Sequence, residues 1–191
     1  MGRPRSYNRT EVVEKAVILF RQNGYKAVSI GSIVEATGLN TASMYKEFGD
    51  KNGLFVEALN LYRGYLESTR AQLLIDQPNI KGIERFLKSV IEEASGDEYQ
   101  GCLIMNHLTQ KNLISSEADE IIRTFCEGLE SLLESALKNA RVQGEIPAEK
   151  DPHSLAKFFA CLVHGFILYG RHEDKKIDFS AVYNTAMEVL Q

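Results

Sequence analysis

The run from Ser29 to Leu54, SIGSIVEATGLNTASMYKEFGDKNGL, constrains the fold of this chain more than any other stretch. Ile30, Ile33, Val34 and Ala36 give a first short helix an apolar stripe. Gly38 stops that helix, because glycine takes positive φ at no steric cost. Leu39 is a buried spacer. Asn40 then caps a second helix, its side chain accepting from a free amide of the first turn. Met44, Tyr45 and Phe48 form that helix's apolar side, and Asp50 opens a third helix at once. Two short helices turned sharply against each other predict a helix-turn-helix, whose second helix can enter a DNA major groove.

Charge is distributed to suit that reading. The 191 residues carry a net −4, which by itself speaks against a general nucleic-acid binder. Residues 1–55, however, hold eight basic side chains against five acidic ones, a net +3, and the remainder carries −7. A basic head on an acidic body fits one face drawn to phosphate and another turned from it. Arg3 and Arg5 lie in a short, helix-poor arm, MGRPRSYNR, of a kind that can lie in a minor groove. The alternative for that arm is a solvated terminus.

Other classes are excluded by the same reading. Cys102, Cys126 and Cys161 are too few and too scattered for a disulfide framework or a zinc site, so no metal and no cofactor is expected. No apolar run approaches the roughly 18 residues needed to span a bilayer. The N-terminus lacks the apolar core of a signal peptide, which predicts a cytoplasmic protein.

Helical spacing continues along the whole chain and predicts an all-α fold of about nine helices. The first starts at Asn8, with Glu11 completing a capping box, and ends at Asn23-Gly24-Tyr25. After the helix-turn-helix, a long helix runs from Asp50 to about Leu74, and a fifth starts at Ile80. A short sixth starts near Gly101, with Cys102 in its first turn, and a seventh spans Ser115 or Ser116 to about Gln143. Asp151-Pro152 opens the eighth, a cap followed by proline at the first helical position. That helix is apolar on most sides, from Leu155 through Phe159 and Phe166 to Tyr169, and so demands cover on more than one face. Its own fold and a second subunit would supply it. A polar loop from Arg171 to Lys176 precedes a last amphipathic helix from about Asp178.

The first 55 residues resemble the TetR family of transcriptional regulators. The resemblance is carried by Ala16, Leu19-Phe20, Asn23-Gly24-Tyr25, Ser29-Ile30, Ile33, Glu35-Ala36-Thr37-Gly38-Leu39, Met44-Tyr45, Phe48, Lys51 and Leu54. It implies a homodimer with N-terminal DNA-binding heads, here residues 1–50, and a body, residues 51–191, for ligand binding and dimerisation. It further implies that the eighth and ninth helices form the dimer interface and that a small-molecule effector controls binding to a palindromic double-stranded operator. Three positions depart from the family pattern. Val34 stands where alanine is preferred at the helix crossing, Glu47 where an aromatic or histidine is usual, and Gly53 where an acidic residue is usual.

Candidate DNA contacts follow. Thr41, Ala42 and Ser43 open the recognition helix, where small side chains approach base edges and thymine methyls. Asn40 stands at its cap. Lys46 reaches guanine or phosphate, and Glu47 either accepts from cytosine or pairs with a neighbouring lysine. Tyr45 aligns with a family tyrosine that donates to phosphate, and its ring could also pack inward. Lys51, in the first turn of the next helix, and Ser29, at the start of the helix before, are phosphate candidates, since helix N-termini favour anions. Candidates for lining an effector pocket are Tyr62, Tyr65, Cys102, Met105, Phe125, Phe159, His164 and Tyr169, whose character suits a small, largely apolar or aromatic molecule. The alternative for each is ordinary core. For Cys102 a reactive thiol is set against a buried small hydrophobe.

Two further functions stay open from sequence. A helical enzyme finds little support: His107, His153, His164 and His172 lack metal spacing, and no phosphate loop or nucleophile elbow is present. A DNA-binding architectural protein without effector is the other.

Overall fold

Ten α-helices follow one another in this computed structural model, which describes residues 7–108, 110–171 and 178–191. They are α1 (Arg9–Ala27), α2 (Ile30–Thr37), α3 (Thr41–Phe48), α4 (Lys51–Leu66), α5 (Gln72–Asp76), α6 (Ile80–Ala94), α7 (Leu103–His107), α8 (Ser116–Val142), α9 (Pro152–Tyr169) and α10 (Ser180–Glu188). A π-helical segment, Glu67–Ala71, joins α4 to α5, so helical conformation continues without a break from Lys51 to Asp76 along the stretch predicted as one helix from Asp50. Counted so, the described residues form nine α-helical stretches, with a 3-10 turn at Lys111–Leu113 and no strand, the expected all-α fold. Arg3 and Arg5 lie outside the described residues, as do His172 and the greater part of the Arg171–Lys176 loop.

Caps set most of the boundaries. Ser29 and Ser32 form a reciprocal capping box at α2, Asp50 Oδ1 accepts from Gly53 N–H before α4, and Asn79 Oδ1 accepts from Gly82 N–H in α6. Ser115, rather than Ser116, caps α8 through the Ala118 N–H. Asp151 with Pro152 starts α9 as expected.

Three local expectations are corrected. The Asn8 carboxamide accepts from Thr10 N–H, and Glu11 pairs with Lys15 one turn on instead of closing a capping box. The Asn23-Gly24-Tyr25 signal marks a kink, not an end: Gly24 takes φ 72°, ψ 162°, and α1 resumes to Ala27. Cys102 precedes the first turn of α7 in extended conformation, is 5% exposed, and heads a helix of only five residues.

The chain forms two compact units. One comprises residues up to Gly64 together with Cys102–Arg123, and the other Tyr65–Gly101 with Thr124–Gln191. The first encloses Val13, Ala16 and Phe20 of α1, Ile33 of α2, Met44 of α3, Leu54, Phe55 and Leu59 of α4, and Leu103 of α7. The second buries a larger apolar cluster in which Phe86, Leu87 and Val90 meet Leu133 and Leu137 of α8 and Phe159, Val163 and Phe166 of α9. Within that unit α9 also shows an uncovered apolar side, with Phe158, Leu168 and Tyr169 at 40%, 59% and 66% exposure. Val182 of α10 is 45% exposed. Among the described residues no helix is long and apolar enough to cross a membrane.

Candidate nucleic-acid interface

The outer face of α3 is produced by what its inner face buries. Met44 is fully buried and Phe48 nearly so, which leaves Thr41, Ala42, Tyr45 and Lys46 exposed and Ser43 and Glu47 half-buried. Tyr45 points outward at 49% exposure, so it serves the surface and not the core. Gly38, at φ 76°, makes the turn, and its N–H donates to the Val34 carbonyl at 2.9 Å. Asn40 Oδ1 accepts from Ser43 N–H at 2.8 Å. Its side chain therefore fixes the first turn of α3, the cap role expected of it. The Ser29 hydroxyl is likewise engaged locally, accepting from Ser32 N–H at 3.1 Å. Val34 is half-buried, so its extra methyls are not fully enclosed at the crossing.

Lys51 is turned inward. Its Nζ donates to the Tyr25 carbonyl at 3.0 Å and the Val28 carbonyl at 3.1 Å, and stands 4.2 Å from the centre of the Tyr25 ring. An ammonium there answers the carbonyl-rich end of α1 and the negative ring face together. Burial, with Asp50 adding to it, pushes the Tyr25 hydroxyl up, so that ring stays neutral at pH 7.

Three further residues fix α3, none of them among the sequence candidates. Arg9 makes two hydrogen bonds to the Glu57 carboxylate, at 2.8 and 3.2 Å, and lies 5.2 Å over the Phe48 ring. The guanidinium holds the Glu57 carboxyl below its ordinary range, and Glu57, then Glu47 among the lesser contributors, raises Arg9. Glu47 thus lies within the electrostatic reach of Arg9 as well as on the recognition helix. Gly53 explains its own departure from the family pattern: a Cβ there would stand 1.9 Å from the Phe48 carbonyl oxygen. The start of α4 and the end of α3 approach so closely that only glycine fits.

The effector candidates divide between the units. Tyr62, Cys102 and Met105 are buried in the first, where the Arg21 guanidinium sits 5.3 Å over the Tyr62 ring. Tyr65, Phe125, Phe159, His164 and Tyr169 belong to the second. Phe159 is fully buried in the core, Phe125 is half-buried, and Tyr65 and Tyr169 are exposed at 54% and 66%. Burial pushes His164 down, against the opposing charge of Glu130. Its buried Nε2 makes no hydrogen bond among the described residues. Tyr65 borders a cleft of about 330 Å³ shared with Thr69, Arg70, Leu73, Ser89, Glu92 and Glu93. The π turn shapes this wall: the Tyr65 carbonyl is taken by the Ser68 and Thr69 hydroxyls, at 3.2 and 2.6 Å. Arg70 and Glu93 form an ion pair across it at 2.6 Å. No cluster of His, Cys, Asp and Glu suited to a metal occurs among the described residues.

Residues 12–58 match the family model for bacterial regulatory proteins of the tetR family, a span that contains both helices of the turn. The chain is 30% identical over 173 residues to the HTH-type transcriptional repressor ComR of Escherichia coli (strain K12), covering 89% of this chain and 82% of ComR. It belongs to the TetR family. This regulator is also similar to the HTH-type transcriptional repressor DhaR of Mycobacterium sp. (strain GP1), at 24% identity over 185 residues, 95% of this chain and 91% of DhaR. Its fold matches that of the TetR family transcriptional regulator CifR, solved as a cysteine-substituted variant complexed with 26-bp double-strand operator DNA. There the TM-score is 0.85 at 24% identity, with full coverage of both chains. The chain is thus a helix-turn-helix transcriptional regulator and not an enzyme.

Proposed function

We propose that the protein is a cytoplasmic, dimeric repressor that binds a palindromic operator through α3 and is released by a small molecule. The observation that carries the reading is the outer face of α3, where Thr41, Ala42, Tyr45 and Lys46 are exposed while Met44 and Phe48 anchor the helix from behind. Thr41, Ala42 and Ser43 at the helix start meet base edges, Lys46 meets guanine or phosphate, Tyr45 meets phosphate, and Glu47 flanks them. The names of ComR and DhaR, both repressors, support the direction of regulation. We place the DNA-binding role in residues 1–50, with Arg3 and Arg5 as a basic arm. Ser29, Asn40 and Lys51 then act on phosphate through the amides and helix ends that they order. Effector binding and dimerisation belong to residues 51–191.

The exposed stripe of Phe158, Leu168, Tyr169 and Val182 is the surface for a second copy, through α9 and α10. Two heads must then stand about 34–36 Å apart to enter successive major grooves. The effector is small and largely apolar or aromatic, drawing on Tyr65, Phe125, Phe159, His164 and Tyr169 of the second unit. His164, whose buried Nε2 makes no hydrogen bond among the described residues, offers a polar contact there.

A gel shift on DNA upstream of the regulator's own gene tests the reading. Binding should saturate, and Thr41→Ala with Lys46→Ala should weaken it at least tenfold, since each good base contact is worth about 1–3 kcal/mol. Wild-type affinity in that double variant would contradict the assignment of α3.

A further inference from the structure

A histidine with no exposed surface sits in the first unit, on the last residue of α7, and both of its ring nitrogens are used. Nδ1 lies 2.7 Å from the Leu103 carbonyl, which can only accept, so the proton is on Nδ1. Nε2 is then the acceptor, and the Tyr25 backbone N–H donates to it at 2.9 Å. Helical geometry would ordinarily send that amide to a carbonyl four residues back. The Gly24 kink, at φ 72° and ψ 162°, turns it aside. The ring also packs edge-on against Phe55 of α4, centroids 4.9 Å apart, and Phe55 in turn meets Tyr25 at 4.9 Å. Beside it, Asn106 Nδ2 donates to the Arg21 carbonyl at 3.2 Å, a second tie from α7 to α1.

These contacts continue toward α3. The Tyr25 carbonyl, on the other side of the same residue, accepts from Lys51 Nζ, which also holds the Val28 carbonyl. Lys51 stands in the first turn of α4, two residues before Gly53, where the Phe48 carbonyl oxygen at the end of α3 lies so near that a Cβ would stand 1.9 Å from it. One connected path therefore runs from α7 through Tyr25 and Lys51 to the recognition helix.

We infer that His107 is a positioning residue for DNA recognition: by accepting the Tyr25 amide it sets the α1–α2 turn, and through Lys51 the placement of α3. The inference rests on the reading of α3 as the DNA-contacting helix. A shift of α7 would leave the Tyr25 amide without its acceptor, because the Gly24 kink turns that amide away from the carbonyl four residues back. A buried donor left without its acceptor is costly.

The test compares His107→Phe, which keeps a ring but removes the acceptor, with His107→Gln, whose amide oxygen can replace Nε2. Two measurements are made on the full chain: affinity for DNA upstream of its own gene, and amide hydrogen exchange at Tyr25, across 41–48 and across α9. His107→Phe should lose about tenfold in affinity and exchange at least tenfold faster at Tyr25 and in α3, with α9 unchanged. His107→Gln should return both to within threefold of wild type. Wild-type affinity and wild-type exchange in His107→Phe would overturn the inference, as would equal damage in His107→Gln. Should His107→Phe fail to fold, His107→Asn, too short to reach Tyr25, takes its place with the same expectations. A wild-type protein that ignores the DNA would defeat the regulator reading alone, since the exchange measurement still judges the role of His107.

Discussion

In the first unit, side chains from α4 and α7 converge on a single turn: Lys51 and His107 hold the carbonyl and the amide of Tyr25, while Arg9 of α1 joins Glu57 to the Phe48 ring. The second unit is assembled differently. Its interior is an apolar cluster from α6, α8, α9 and α10, and its polar ties sit at the rim. Arg70 pairs with Glu93, the Glu145 carboxylate accepts from Ile80 N–H, and Lys150 donates to the Val189 carbonyl. The contrast follows from size. Helices as short as α2 and α3, eight residues each, bury too little apolar surface to fix their own orientation, so directional contacts must do it. Longer helices such as α9 are located mainly by packing, with the His153–Glu134 contact to α8 at the rim, at the cost of an apolar side that needs a partner.

Substitutions in each unit test that contrast. The largest effect is expected in the second unit. Phe159→Ala empties a fully buried site and should cost about 3–5 kcal/mol in denaturant unfolding, while the structure of α3 survives wherever the protein stays folded. A loss under about 1 kcal/mol would show that the cluster around Phe159 is loosely packed.

Gly53→Ala probes the close approach in the first unit. A methyl 1.9 Å from the Phe48 carbonyl must push α3 from α4, so DNA affinity should fall more than about tenfold even under conditions where circular dichroism shows intact helices. Full affinity in this variant would mean that α3 is not held where its contact with α4 places it.

The Arg9–Glu57 pair gives the smallest effect. Both side chains are partly exposed, at 39% and 44%, so Glu57→Gln should cost only about 0.5–1 kcal/mol. The sign of its pH dependence is fixed. Because the folded Glu57 carboxyl lies below its ordinary range, its contribution is complete above the unfolded value of about 4.3 and fades as pH falls through the folded one. The stability difference between wild type and Glu57→Gln should therefore be present at pH 7 and shrink in strong acid. A difference that grows on acidification would contradict the assigned cause.

Much of this was legible in the residues. Gly38, Asn40 and the Met44/Phe48 spacing specify the helix-turn-helix, and Asp151-Pro152 specifies the start of α9, because caps and apolar periodicity are local signals. Gly24 predicts a stop yet marks a kink, since a positive-φ glycine kinks a helix as readily as it ends one. Lys51, Arg9 and His107 were not legible in their roles. Their partners are 26, 48 and 82 residues away in sequence, and no local pattern announces a contact of that span. Gly53 did leave a signal, as a departure from the family pattern, but only the Phe48 carbonyl gives it a cause. Apolar periodicity assigns the effector candidates to inner helical faces, a property of core and pocket alike, yet Tyr65 and Tyr169 are exposed and the set divides between the two units.

The central claim is that α3 reads a specific DNA sequence while basic groups around it engage phosphate. Fluorescence anisotropy of the wild-type protein on DNA upstream of its own gene, set against a scrambled duplex over a range of salt concentrations, tests it most directly. The account predicts binding at least about 1,000-fold tighter to the former, with the logarithm of the affinity falling linearly against the logarithm of salt for both. Equal affinity for the two duplexes, or binding indifferent to salt, would contradict it.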